Sequence, residues 1–128
     1  MCIRDRKQTK VANLYKAVEM AQARDLPIIV GTEMNAYGQK FVDDFDAPEL
    51  APVAPAFLEG AAIVYAHTVL EAHAAMGYLS NWARAHFPSI RDKNAFFCAL
   101  GLGLQPGREY VLGGVTPESK PEDILALL

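Results

Sequence analysis

The sequence predicts a helix-rich α/β fold with one strong strand of the parallel type, residues 27–34, and three observations predict it. The segment "PIIVGTEM" opens with Ile28, Ile29 and Val30, three β-branched residues in a row, apolar toward both faces. A strand of that kind belongs in the middle of a parallel sheet or barrel, because each face has to be covered. An amphipathic helical pattern precedes it by a very short link, which is the αβ half of a βαβ unit. Several more helical segments follow it to the C-terminus.

The opening "MCIRDR" shows neither helical periodicity nor the apolar core of a signal peptide, and it resembles translated adapter sequence at the start of metagenomic reading frames. It reads as a non-native leader, residues 1–6, with an ordinary disordered N-terminus as the alternative. Residues 7–128 read as a single domain, the C-terminal part of a larger protein. From Thr9 to Arg24, Val11, Leu14, Tyr15 and Val18 recur at helical spacing, with Thr9 as N-cap and Leu26-Pro27 as the stop. After the strand, residues 35–55 form a loop far longer than the usual βα link of about two to six residues, which points to function. Pro55 starts a helix that runs to Met76, with Gly77 as its stop. That helix is alanine-rich and apolar nearly all round, so burial on most faces is expected.

Further on, Ser80 caps a short helix, "NWARAHF", that Pro88 ends. Ser89 with Asp92 resembles a capping box and opens "IRDKNAFFCALG". Tyr110 to Leu112 is a second, weaker strand candidate. Thr116-Pro117-Glu118 and Pro121-Glu122-Asp123 each read as helix starts. The strong strand is then short of neighbours within the chain: either it is an orphan packed between helices, or its sheet lies in upstream sequence.

Composition bounds the function. A chain of 128 residues that is 52% hydrophobic and 21% charged is globular rather than disordered. It offers no run of about 18 uncharged apolar residues, so no membrane span is expected. A net charge of −3 and no basic cluster beyond the N-terminus argue against a nucleic-acid partner. Cys2 and Cys98 lie far apart, and Cys98 sits in the apolar run "NAFFCALG" as a reduced core residue, so the expected location is cytoplasmic.

Glu33 is the first candidate for chemistry. In parallel α/β folds ligands bind at the carboxyl ends of strands, and Glu33 occupies such an end. A carboxylate there serves as a metal ligand or general base, whereas its plain role is to close the strand in solvent. Asn35 follows on the same side if the extended spacing continues, and Asn35, Tyr37 and Gln39 are candidate substrate-binding residues in the loop. Asp43, Asp44 and Asp46 form an acidic group able to meet a hard cation. Asp46 also suits the N-cap of the turn at Ala47-Pro48.

His67 and Glu71 stand four apart on one helix face, but a zinc site needs a third ligand, so His67 reads as a buried histidine with one hydrogen-bond partner. His73 points elsewhere, and His86 suits the negative end of a short helix. "GLGLQPG" and "VLGGV" match no phosphate-binding loop, and no GxSxG, CxxC or Ser-His-Asp grouping is present.

Taken together, "LPIIVGTEMNAYGQKFVDDFD", "FLEGAAIVYAHTVL" and "GYLSNWA" resemble the C-terminal part of metal-dependent hydrolases of the PHP (polymerase and histidinol phosphatase) group. The resemblance implies the C-terminal fragment of a (β/α) barrel, comprising its last strand and the helices after it. It also implies cleavage of phosphoester or similar bonds in a small-molecule substrate by metal-activated water, with Zn, Mn or Mg held by the parent enzyme. Glu33 would be the one strand-end ligand in this chain, and the N-terminal barrel segment of the same protein would be its partner. The group's HxH and closing DxH motifs are absent from the sequence. Two other readings stay open: a non-catalytic helical partner-binding domain, and a fragment of a sugar isomerase or epimerase barrel in which a strand-end Glu acts as acid or base.

Overall fold

The structure, a computed structural model, describes residues 3–31, 36–39 and 44–128, with side chains from Thr9 onward. Its elements are α1 (Ile3–Gln22), α2 (Ala54–Ala74), α3 (Asn81–His86), α4 (Ile90–Gly103), a 3-10 turn (Glu109–Leu112) and α5 (Pro121–Leu125). Among the described residues there is no β-strand. The expected α/β class, a barrel fragment built around a strand at 27–34, is therefore corrected to a helical one.

The reason is pairing. A strand persists as one member of a hydrogen-bonded ladder, and β-branched residues alone do not supply the partner. Residues 27–31 have no regular structure, and 32–34 lie outside the described residues. The other strand candidate, Tyr110 to Leu112, is part of the 3-10 turn. There Val111 N–H bonds to Arg108 O at 3.1 Å and Gly113 N–H to Tyr110 O at 3.0 Å.

The chain divides into two units, Met1–Leu58 and Glu59–Leu128. In the first, α1 begins at Ile3 rather than Thr9, because the Arg, Lys and Gln of "IRDRKQ" favour helix without apolar periodicity. The turn that closes it runs to Asp25, whose φ of 53° is left-handed. The Leu26 N–H reaches Ala21 O at 3.0 Å and the Asp25 N–H reaches Gln22 O at 3.1 Å, a Schellman closure. The small core of this unit comprises Val18, Val53, Ala56 and Phe57, with Leu14, Tyr15, Ile28 and Leu50 packed against it. The Tyr15 hydroxyl donates to the Glu49 carbonyl. Of the apolar run, Ile28 joins this core, while Leu26, Ile29 and Val30 are exposed, Ile29 to 68%.

The second unit has the larger core. Leu70, Met76, Phe97, Leu100, Leu112 and Ile124 are its largest fully buried side chains. Along α2, Ile63, Ala66, Val69 and Leu70 follow the spacing of one helix face, and only that face is buried here. Val64 on the same helix is exposed, so apolar composition overstated the burial of α2. Two capping serines behave as read: Ser80 Oγ accepts the Ala83 N–H at 3.1 Å, and Ser89 Oγ accepts the Asp92 N–H at 3.4 Å. Pro121 starts α5 from within its first turn. Thr116-Pro117 does not start a helix. It forms a turn in which Ser119 N–H bonds to Thr116 O at 2.8 Å and Ser119 Oγ accepts the Thr116 N–H at 3.0 Å.

Gly101 sits where α4 meets α2. A Cβ there would overlap the carbonyl of Ala62. Glycine lets the two backbones approach closely, and this contact fixes α4 across the middle of α2. Around Phe96, midway along α4, lies an aromatic group, with Trp82 against Phe96 (centroids 5.6 Å) and Phe87 against Phe96 (5.0 Å).

Candidate functional site

Of the residues singled out in the long loop, Glu33, Asn35 and Asp43 lie outside the described residues. Tyr37 and Gln39 fall in an exposed turn at 36–39 that Gly38, with φ 83°, closes. The Gln39 side-chain oxygen accepts the Ala36 N–H at 3.0 Å, so it is engaged in holding its own turn. Asp44, rather than Asp46, organises the next turn: its carboxylate accepts the Asp46 N–H at 3.2 Å. Tyr37 is fully exposed.

The most developed arrangement of polar groups lies at the C-terminal end of α2. The helix stops at Ala75, not Gly77, and Ala75 takes a left-handed φ of 54°. Its N–H reaches Glu71 O at 3.1 Å and the Met76 N–H reaches Leu70 O at 3.2 Å. The next two backbone donors turn to side chains instead. The Gly77 N–H donates to Glu71 Oε2 at 2.9 Å, and the Tyr78 N–H donates to His67 Nδ1 at 3.0 Å. A helix end leaves backbone groups to be satisfied, and here two side chains one turn apart satisfy the donors of the loop. As Nδ1 accepts, the imidazole proton in the neutral ring is on Nε2.

Gly77 is required for this contact, since a Cβ would overlap both Glu71 Oε2 and His67 Nδ1. The sequence reading of His67 as a histidine with one hydrogen-bond partner is met, although the ring is half-buried rather than buried.

Beside the loop is a cleft of about 780 Å³, lined by His67, Glu71, Leu79, Asn81 and Arg84 over Met76 and Trp82. Its size falls within the range of small-molecule sites. The loop is tied down on its other side as well. The Tyr78 hydroxyl donates to Asn94 Oδ1, and Lys93 Nζ lies 4.1 Å from the centre of the Tyr78 ring. Trp82 donates its indole N–H to Ser119 O at 2.9 Å. His86 stacks on Trp82 at 4.8 Å and bonds to the Trp82 carbonyl oxygen at 3.0 Å.

A metal site needs at least three convergent ligands. Among the described residues no group of three His, Cys, Asp or Glu side chains is placed to hold an ion. His67 Nδ1 and Glu71 Oε2 each already accept a backbone N–H. The described residues therefore do not fit the divalent metal that the hydrolase resemblance implies.

A second polar pair was not singled out in the sequence. The Tyr65 hydroxyl donates to Glu109 Oε1 at 2.7 Å, and the same oxygen accepts the Gly107 N–H at 3.0 Å. Burial, then the hydrogen bond and the charge of Glu109, push the Tyr65 hydroxyl up to about 12. The Tyr65 bond, aided by backbone N–H groups and the charge of His73, holds the Glu109 carboxyl below its usual range. The available signal was a tyrosine inside an apolar helix, whose hydroxyl needs a partner. Burial foremost, and then the Glu59 charge, raise the Cys98 thiol, which keeps it protonated and unreactive.

Comparison with protein-family models, with curated proteins and with solved structures found no match. Among the described residues no helix is long and apolar enough to cross a membrane.

Proposed function

We propose that this chain is part of a cytoplasmic metal-dependent hydrolase that cleaves phosphoester or similar bonds in a small molecule. One observation supports this reading beyond the resemblance. Leu26, Ile29 and Val30 are exposed, in a segment without regular structure that precedes Glu33 in the sequence. Apolar side chains left in solvent beside a carboxylate suit a surface that a further segment of protein covers. An N-terminal segment of the same protein would supply that cover, and with it the metal ligands that the described residues lack. Glu33 is then a ligand or base, with Asn35, Tyr37 and Gln39 bordering the substrate.

The test is to express residues 7–128 joined to their upstream genomic sequence and to assay hydrolysis of p-nitrophenyl phosphate with Mn²⁺ and with a chelator. The expected result is metal-dependent turnover that Glu33→Gln lowers by at least about a hundredfold, with the melting temperature unchanged. Normal activity in the variant removes Glu33 from the site, and no activity in the extended protein removes the hydrolase reading.

A second reading, a non-catalytic helical partner-binding domain, is favoured by a different observation. His67 and Glu71, the paired side chains best placed for chemistry among the described residues, are engaged by the backbone of their own loop. An extended protein that is inert, or upstream sequence without metal-binding motifs, supports this reading instead.

A further inference from the structure

We propose that His67 is a proton-operated latch on the loop 76–80, which forms one wall of the cleft beside α2. The loop is held to α2 by two adjacent bonds whose acceptors differ in their response to acid. Glu71 accepts the Gly77 N–H through a carboxylate, and His67 accepts the Tyr78 N–H through the lone pair of Nδ1. A histidine that gains a proton on that nitrogen has no lone pair left and becomes a donor at both positions. The Tyr78 N–H and the new Nδ1–H would then face each other at a distance that now holds a hydrogen bond of 3.0 Å.

The contact has little slack. A single carbon at Gly77 would overlap both acceptors, so the backbone already lies directly on the two side chains. When the lone pair is lost the Tyr78 amide loses its acceptor, whether the ring turns aside or the loop shifts, and Leu79 and Ser80 of that loop line the cleft.

The charged groups that share the cleft with the ring are Glu71, on the same helix, and Arg84 of α3. The Tyr78 hydroxyl faces Asn94, and the segment after the 3-10 turn brings Pro117 to the cleft. Of the two kinds of acceptor, imidazole is the one that gains a proton within the pH 5–8 range.

The test is amide hydrogen exchange by NMR on the chain at pH 7.5 and pH 5.5, read as protection factors. The Tyr78 amide should lose at least tenfold in protection at the lower pH, while the Leu100 amide in the core keeps its own. In His67→Gln, whose side-chain oxygen accepts an N–H and does not titrate, Tyr78 protection should be the same at both pH values. Nitrogen-15 shifts of the wild-type imidazole give a readout that needs no variant, with Nδ1 bare and Nε2 protonated at pH 7.5. A proton on Nδ1 at pH 7.5, unchanged Tyr78 protection at pH 5.5, or an equal loss in His67→Gln would each overturn the latch.

Discussion

Tyr65 and Glu109 tie the stability of the second unit to pH at both extremes, and the signs follow from which state holds the proton. The Tyr65 hydroxyl stays protonated in the folded chain up to about 12, against an ordinary value of 10.0. Between those values the unfolded tyrosine has lost its proton and the folded one has not. Stability from this pair is thus complete below pH 10 and lost as pH rises toward 12. Glu109 works the other way. Its lowered carboxyl contributes stability above its ordinary value of 4.5, and that contribution is lost as pH falls below it. Denaturant midpoints at a series of pH values check this. Tyr65→Phe should flatten the decline between pH 10 and 12 relative to the wild type, and it should also reduce the acid-side decline, because Glu109 loses its foremost partner. A wild-type and variant difference that is constant across the whole range would show the pair to be uncoupled from folding.

At the scale of elements, the meeting of α2 and α4 rests on the missing side chain of Gly101. Gly101→Ala has to push its new carbon into the backbone of Ala62, which cannot rotate away as a side chain can. Overpacking of this kind costs about 1–3 kcal/mol, and the rigid neighbour argues for the upper end. Gly114→Ala is the control, since a carbon there meets nothing within 4 Å. Equal denaturation midpoints for the two variants would refute the close approach. The helices on either side were legible wherever the signal was local. Ser80 and Ser89 sit before helical runs and cap them, and Pro121 opens α5. What could not be read was any feature set by distant partners. "PIIV" has the composition of a strand but not the ladder, and Tyr110 to Leu112 tightened into a 3-10 turn once Leu112 was buried. The end of α2 was misplaced for a related reason: Ala75 takes the left-handed position because the bonds at Gly77 and Tyr78 hold the loop beyond it. His67 and Glu71 were visible as a pair on one face. Their true partners, two backbone N–H groups eleven and six residues further along, were not.

At the scale of the whole molecule, each unit leaves large apolar side chains in solvent. Leu26 and Ile29 in the first, and Leu79, Leu102 and Tyr110 in the second, are all at least half exposed. Burying one such side chain is worth about 1.5–3 kcal/mol, so surfaces of this kind favour association. Residues 7–128 should therefore self-associate and bind a hydrophobic dye. A monomer by light scattering that binds no dye would show these side chains to be tolerated singly. The aromatic packing described above affects how any such experiment is read. The chain has a single tryptophan, Trp82, and it is buried in the second unit between His86, Phe87 and Phe96. Tryptophan fluorescence, excited apart from the tyrosines, is thus an optical reporter of one core alone. A shift of its emission toward the red dates the opening of that core, while the first unit can unfold entirely in the dark.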